Sequence, residues 1–552
     1  MQPILNFRMC IIAALLAVQG IPAHAQKLNK YWVAFSDKNN SPYCTCRPAE
    51  FLSARALDRR ARAGIEVAQN DLPVNPAYLN TLKVKGVQIH GTSRWLNAAT
   101  VIADTSAVAG LQNLPFVSGV RYLGPHLKYR NPPNRPLKKR KPLAEAPKVA
   151  GASYWGYAAL QNNLLGVPLL HLAGHRGQGI WVAVMDGGFT NADTIPLFDS
   201  IALAGRLFAA HDFVEHDQGL FESAQYGTSV LSVMAANLPG YFVGTAPDAT
   251  YFLMKTEDTG GEYPVEEANW VAGAEWADSA GVDILNASLG YTAFSDTSLG
   301  HRYYELDGRT AIGSQGATIA ATKGMIICNS AGNEGDGPWH FIGAPADAPG
   351  LVAVGAVDYA GKRAAFSSFG PSADGRIKPD LMAPGEEVIT AGNVGVQLGT
   401  SSGTSLASPM LTGALAALWS ECPDKTAAEI LQAAFASADQ QEQPDNERGY
   451  GLPNMTTAWL RLGGFDEHGI GFDRNSGALS LLVSEREVPM DAAFELRDFL
   501  GQKIAYSAAK WARNEICTLT FEGLAALPAG AYTVVLIGKN SVMRSQAIIA
   551  RH

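Results

Sequence analysis

Through the middle of the chain, short apolar runs rich in β-branched residues alternate with longer stretches of helical character. Ile180–Met185, Thr250–Met254, Val282–Asn286, Met325–Asn329 and Leu351–Val357 read as strands. Glu266–Ala280, Gly316–Lys323 and Ser405–Trp419 read as helices among them. This alternation predicts an α/β fold, a parallel sheet with helices on both faces and ligands at the carboxyl ends of its strands. The flanks have a different texture. Before the α/β region, Tyr31–Phe35 and Ala98–Ile102 look like strands, and Ala49–Ala63 and Pro76–Lys85 look like helices, which predicts a small α+β unit. After it, Leu479–Val483, Ala493–Arg497, Thr518–Phe521 and Ala531–Ile537 alternate in strand fashion between turn residues, which predicts a β-sandwich.

At 552 residues the chain is long enough for several domains. The expected units are an export signal over 1–25, the α+β unit over 26–126, a linker over 127–152, the α/β domain over 153–462 and the β-sandwich over 466–552. The export signal has a positive Arg8, an apolar Met9–Val18 and a small-x-small Ala23-His24-Ala25. That apolar run is too short to span a bilayer, and no later stretch reaches the roughly 20 apolar residues a span needs. The expectation is an exported protein, secreted or on the cell surface via the periplasm, with no transmembrane segment. A net charge of −8 offers no case for nucleic-acid binding. The linker holds Pro132-Pro133 and then Lys138-Lys139-Arg140-Lys141, which is either a solvated tether or a processing site.

Cys10 leaves with the signal, and five cysteines remain, so at least one thiol is unpaired. Cys44 and Cys46 stand too close for an easy mutual bridge. They lack the second ligand pair that a zinc site needs, so no metal is expected. Cys328 lies in an apolar run and reads as a core thiol.

The candidate chemistry sits at element boundaries. Asp186 ends a strand ahead of Gly187-Gly188, where a carboxylate can be held buried to orient a neighbouring base. Ser405 follows Gly403-Thr404 and starts an apolar helix, whose N-terminal amides favour negative charge. Asn333, in Asn329-Ser330-Ala331-Gly332-Asn333, follows a strand and can donate an amide hydrogen to an oxyanion. Ser288-Leu289-Gly290 follows another strand. Between the aspartate and the serine lies Tyr226-Gly227-Thr228-Ser229.

The aspartate, Gly-Thr and Gly403-Thr404-Ser405-Leu406-Ala407-Ser408-Pro409 motifs, in this order, resemble those of subtilisin-type serine proteases. The resemblance covers the whole α/β region. It implies catalytic roles for Asp186 and Ser405, an oxyanion role for Asn333, and substrate backbone pairing along Ser288, Leu289 and Gly290. It also implies that the α+β unit is an inhibitory prosegment. Family members often bind structural calcium, but no calcium loop is evident in this chain, and no cofactor is expected. In the family the residue before the middle Gly-Thr is the catalytic histidine, and here it is Tyr226. A phenol, with its pKa near 10, is a poor proton acceptor at neutral pH. His211 and His216 precede Tyr226 in the same connection, and His216 reads as a loop residue beside acidic neighbours.

The C-terminal Leu527-Pro528-Ala529-Gly530-Ala531-Tyr532 resembles the sorting domains of the type IX secretion system, with a last strand near the terminus. The expected partners are therefore a polypeptide, the chain's own prosegment and the secretion machinery. Three functions stay open: a polypeptide-binding homologue with impaired catalysis, an active secreted endopeptidase, and a surface structural or adhesive protein.

Overall fold

The computed structural model describes residues 27–127, 154–216 and 219–462, together with seven strands between 470 and 549. The export signal, nearly all of the linker and Leu527–Ala529 lie outside the described residues.

The N-terminal unit is a four-stranded antiparallel sheet with two main helices. Its strands are β1 (Asn29–Phe35), β2 (Gln88–Ser93), β3 (Ala98–Ala103) and β4 (Val117–Pro125), in the order β2-β3-β1-β4. The expected helix over 49–63 is shorter. Ser53 caps α1 (Ala54–Arg62) by accepting from the amide of Ala56, and a separate 3₁₀ turn precedes it. Asn75 caps α2 (Pro76–Val84) in the same way, with proline at the first helical position. Period-two alternation divides β1 between two cores. Tyr31, Val33 and Phe35 face Leu82 and Val101 within the unit, whereas Trp32 enters a core shared with the central domain.

One expectation from the cysteines is overturned. Cys44 and Cys46 are bridged. A turn in which the Arg47 amide donates to the Cys44 carbonyl brings their Cα atoms to 5.2 Å, within bridging range. Cys328 is a buried free thiol, as expected, and Cys422 is also free.

The central domain is a sheet of seven parallel strands. In chain order they are β5 (Trp181–Asp186), β6 (Leu207–Asp212), β7 (Thr250–Lys255), β8 (Ile284–Ala287), β9 (Ile326–Ser330), β10 (Val352–Val357) and β11 (Leu381–Pro384). Their order across the sheet is β11-β10-β9-β8-β5-β7-β6. From β5 the chain goes to the edge strand β6, comes back to β7 between β6 and β5, and then crosses to β8 on the other side of β5, from which it builds outward. The carboxyl ends of β5 and β8 therefore flank a topological switch point.

Both faces of the sheet are covered. Val182 and Val184 of β5 enter a core with α3 (Tyr226–Ala235) and α6 (Thr404–Glu421). Ala183 and Met185 enter the opposite core with α4 (Val265–Ala280) and α5 (Ile312–Ala321). The N-terminal unit adds Trp32, Trp95 and Leu123 to this second core, so it packs on the α4 side.

The contact with α4 is also ionic. The Glu275 carboxylate accepts from Ser93 Oγ at 2.6 Å and from the amides of Arg94 and Trp95 at 2.9 and 3.0 Å. The fully buried Asp278 accepts from Arg59, Arg60 and Arg94 at 2.5, 2.7 and 2.7 Å. Burial alone would raise the carboxyl of Asp71, yet Arg60 and Lys323 outweigh it and hold its pKa at about 2.

The C-terminal strands form two antiparallel sheets. One contains Ile470–Asp473, Ala478–Leu482 and Ile516–Leu519. The other contains Lys503–Ala508, Ala493–Arg497, Gly530–Ile537 and Val542–Ile549. Gly530 opens the penultimate strand, and Val542–Ile549 pairs with it along its whole length. Among the described residues no helix is long and apolar enough to cross a membrane.

Candidate active site

Asp186, Tyr226, Asn333 and Ser405 come together at the carboxyl edge of the sheet. Asp186 is the last residue of β5 and is buried. The amide of Gly187 donates to its Oδ1 at 2.8 Å, and the amide of Gly227 bears on the same carboxyl. Its Oδ2 has no partner. Burial is the dominant influence and pushes the Asp186 pKa up to about 7, against the two amides that favour the anion.

Tyr226 is the first residue of α3. That helix start lies tight against the turn after β5, because a Cβ at Gly227 would stand 2.4 Å from the Gly188 carbonyl oxygen. The Tyr226 hydroxyl and Ser405 Oγ share a short hydrogen bond. Burial raises the phenol pKa above its ordinary value, the Ser405 bond works against this, and the nearby Asp186 carboxyl raises it further. The pair is thus a neutral phenol against a neutral alcohol.

Ser405 lies in the first turn of α6 and is nearly buried. Several polar side chains of the sheet lock that turn. Asn286, at the end of β8, accepts from Ser408 Oγ at 2.8 Å and Thr412 Oγ1 at 3.2 Å. Its amide donates to Ser288 Oγ at 3.1 Å, and Ser288 in turn donates to the Ser405 carbonyl at 2.8 Å. Asn333 Oδ1 accepts the Thr404 amide at 2.9 Å, which fixes the side chain with Nδ2 on the other side. A Cβ at Gly403 would lie 2.7 Å from Ser405 Oγ, 3.5 Å from the Tyr226 hydroxyl and 3.7 Å from Asn333 Nδ2. The three groups therefore surround one small space, and a glycine keeps it open.

The Ser288–Gly290 segment leaves β8 beside the serine. Ser288 is buried and its hydroxyl is committed to the Ser405 carbonyl, as above. The Leu289 carbonyl accepts from Asn329 Nδ2 at 2.8 Å and Ser330 Oγ at 2.9 Å, and Gly290 reaches the surface. The sequence pattern did not mark Asn286 as part of the site. A lone asparagine inside the apolar run Val282-Asp283-Ile284-Leu285-Asn286 was the available clue, since buried amides need partners. His211 and His216 lie elsewhere. They face each other and His90 on the far edge of the sheet, and His216 is exposed on a loop, as expected.

Among the described residues one carboxylate group has ligand-like spacing, Glu257, Glu262 and Glu266. Both oxygens of Glu266 accept backbone amides, and Glu257 accepts from Tyr291 and Thr256. Burial, with repulsion from neighbouring carboxylates, raises the pKa values of Glu257 and Glu266.

The Subtilase family profile matches residues 177–451, and the profile of the peptidase S8 propeptide domain of Bacteroidota matches residues 30–140. The chain is 32% identical over 266 residues to subtilisin of Bacillus pumilus, covering 48% of this chain and 85% of that protein. It is 28% identical over 354 residues to subtilisin E of Bacillus subtilis (strain 168), covering 64% of this chain and 78% of that protein. In fold it is similar to fervidolysin from Fervidobacterium pennivorans, a keratinolytic enzyme related to subtilisin. The TM-score is 0.53 at 20% identity, covering 93% of this chain and 71% of that one. The parallel sheet, its helices and the N-terminal domain agree with these likenesses, and the chain belongs to the subtilase family of serine peptidases, carrying a propeptide domain ahead of its peptidase domain.

Proposed function

We propose that this chain is an exported subtilase homologue that binds polypeptide but hydrolyses it very poorly, because Tyr226 stands at the position of the general-base histidine. The observation that carries this reading is the hydrogen bond between the Tyr226 hydroxyl and Ser405 Oγ. A base must take the serine proton as the nucleophile attacks. A phenol whose pKa lies above 10 does not do so at neutral pH. It has one oxygen, so it cannot hold Asp186 with one atom and Ser405 with another, as the two nitrogens of an imidazole do. The unpartnered Oδ2 of Asp186 supports the same reading. In a subtilisin whose histidine is removed, kcat falls by about 10⁶, leaving about 10³–10⁴ over the uncatalysed rate.

On this reading Asn333 and the Ser405 helix start remain a preorganised anion site, and Ser288–Gly290 the edge along which a peptide lies. The propeptide stays attached unless another protease cuts near Lys138–Lys141. The terminal strand pair beginning at Gly530 serves as a sorting domain that directs the protein to the cell surface or medium.

The test uses the purified protein and a casein-type substrate. Turnover within tenfold of an ordinary subtilase would refute impairment. Tyr226→His is expected to raise the rate at least 100-fold, out of the roughly 10⁶ that the histidine commands, and to start cleavage after the propeptide. Ser405→Ala in that background must abolish the gain. Removing 466–552 is expected to retain the protein inside the cell with its peptidase domain folded.

A further inference from the structure

Three histidines converge where the propeptide domain meets the edge of the peptidase sheet. His90 belongs to β2, His211 to β6, and His216 to the loop that follows. His90 Nδ1 and His216 Nε2 stand 3.3 Å apart, and the His211 ring centre is 5.8 Å from that of His216. We propose that His90 and His216 form a two-imidazole site for a borderline-soft divalent ion of the zinc class, which clamps the propeptide domain to the peptidase domain, with His211 as the adjacent supporting imidazole.

The spacing is the first argument. Two nitrogens bound at about 2.0–2.1 Å to a tetrahedral ion lie roughly 3.3–3.4 Å apart. In the metal-free protein the same two nitrogens share a hydrogen bond, which an ion would replace. Access is the second. His216 is exposed, so an ion reaches the pair from solvent, while His90 is partly buried and faces the backbone of Phe213, the kind of contact that orients a ligating ring. Charge is the third. Lys30 bears on His90 and is itself faced by the carboxyl groups of Asp258, Glu215 and Asp212, which offset its charge. Nitrogen ligands select zinc, nickel or copper over calcium and magnesium.

The experiment is titration calorimetry of Zn²⁺ into the untagged full chain, with melting temperature as a second readout. One equivalent is expected to bind and to raise the melting temperature. His90→Ala and His216→Gln are each expected to abolish saturable binding, and His211→Gln to weaken it by about 10- to 100-fold. His216 is exposed, so H216Q folds and carries the test even if H90A does not. Absence of saturable binding to the wild type, or one-equivalent binding that survives H216Q, overturns the proposal.

Discussion

Replacing Asp278 with asparagine is expected to loosen the propeptide domain from the peptidase domain. Asp278 is fully buried and takes charge-assisted hydrogen bonds from three guanidinium groups of the propeptide domain, those of Arg59, Arg60 and Arg94. Asparagine keeps the volume but removes the charge and turns a donor towards donors. Breaking a buried ion pair costs about 3–5 kcal/mol. The lower end applies, because each arginine keeps another partner. Arg60 retains Asp71 at 2.9 and 3.0 Å, Arg94 retains the Glu275 carbonyl at 2.8 Å, and Arg59 retains the Val282 carbonyl. About 3 kcal/mol corresponds to roughly 150-fold in the opening equilibrium. Hydrogen exchange on the full chain reads this directly. Amides of α1 and β2 should lose about 10²-fold of protection, while those of α6, on the other face of the sheet, should be unchanged. Protection in α1 and β2 that stays within about threefold of wild type would show that Asp278 does not hold the domains together.

Asp186→Asn should stabilise the protein at pH 8 and have little effect at pH 4. The Asp186 carboxyl titrates higher in the fold than when unfolded, so its contribution to stability is full below the unfolded pKa and is lost as pH rises through about 7. Melting curves of both proteins across that range test the sign. Gly227→Ala should cost about 1–3 kcal/mol, because its Cβ would meet the Gly188 carbonyl oxygen and the Phe189 ring at 2.4 and 2.8 Å. Chemical denaturation gives the value, and a loss under 0.5 kcal/mol would contradict the contact. Cys328, buried with its thiol pKa pushed up to about 12, should resist aromatic disulfide reagents until the protein unfolds, while Cys422, partly exposed and at about 11, reacts slowly in the native state.

The central strands were legible because strands covered on both sides carry long apolar runs, and five of the seven were found that way. Leu207–Asp212 escaped because it is the edge strand β6, where Phe208 and Ala209 face solvent and the apolar run breaks at Ala210-His211-Asp212. Helix α5 begins at Ile312, four residues before the expected start, because Gly313 and Gly316 obscure its period. They sit close against Glu267 and Val271 of α4. Ser405, Asp186 and Asn333 were readable from short motifs. The contacts that hold them were not. Asn286 with Ser408, or Arg59 with Asp278, join residues more than a hundred positions apart, and no local pattern encodes such a pairing. The Cys44–Cys46 bridge was missed for the opposite reason, since spacing alone does not reveal the turn that closes it.

The line of hydrogen bonds from Asn286 through Ser288 to the Ser405 carbonyl separates two properties of the site. Where the serine stands is decided by the sheet and by the first turn of α6. How its proton is handled is decided by whatever occupies position 226 on another helix. A chain wired in this way can change how the Ser405 proton is handled at one position while the backbone around the serine keeps its shape.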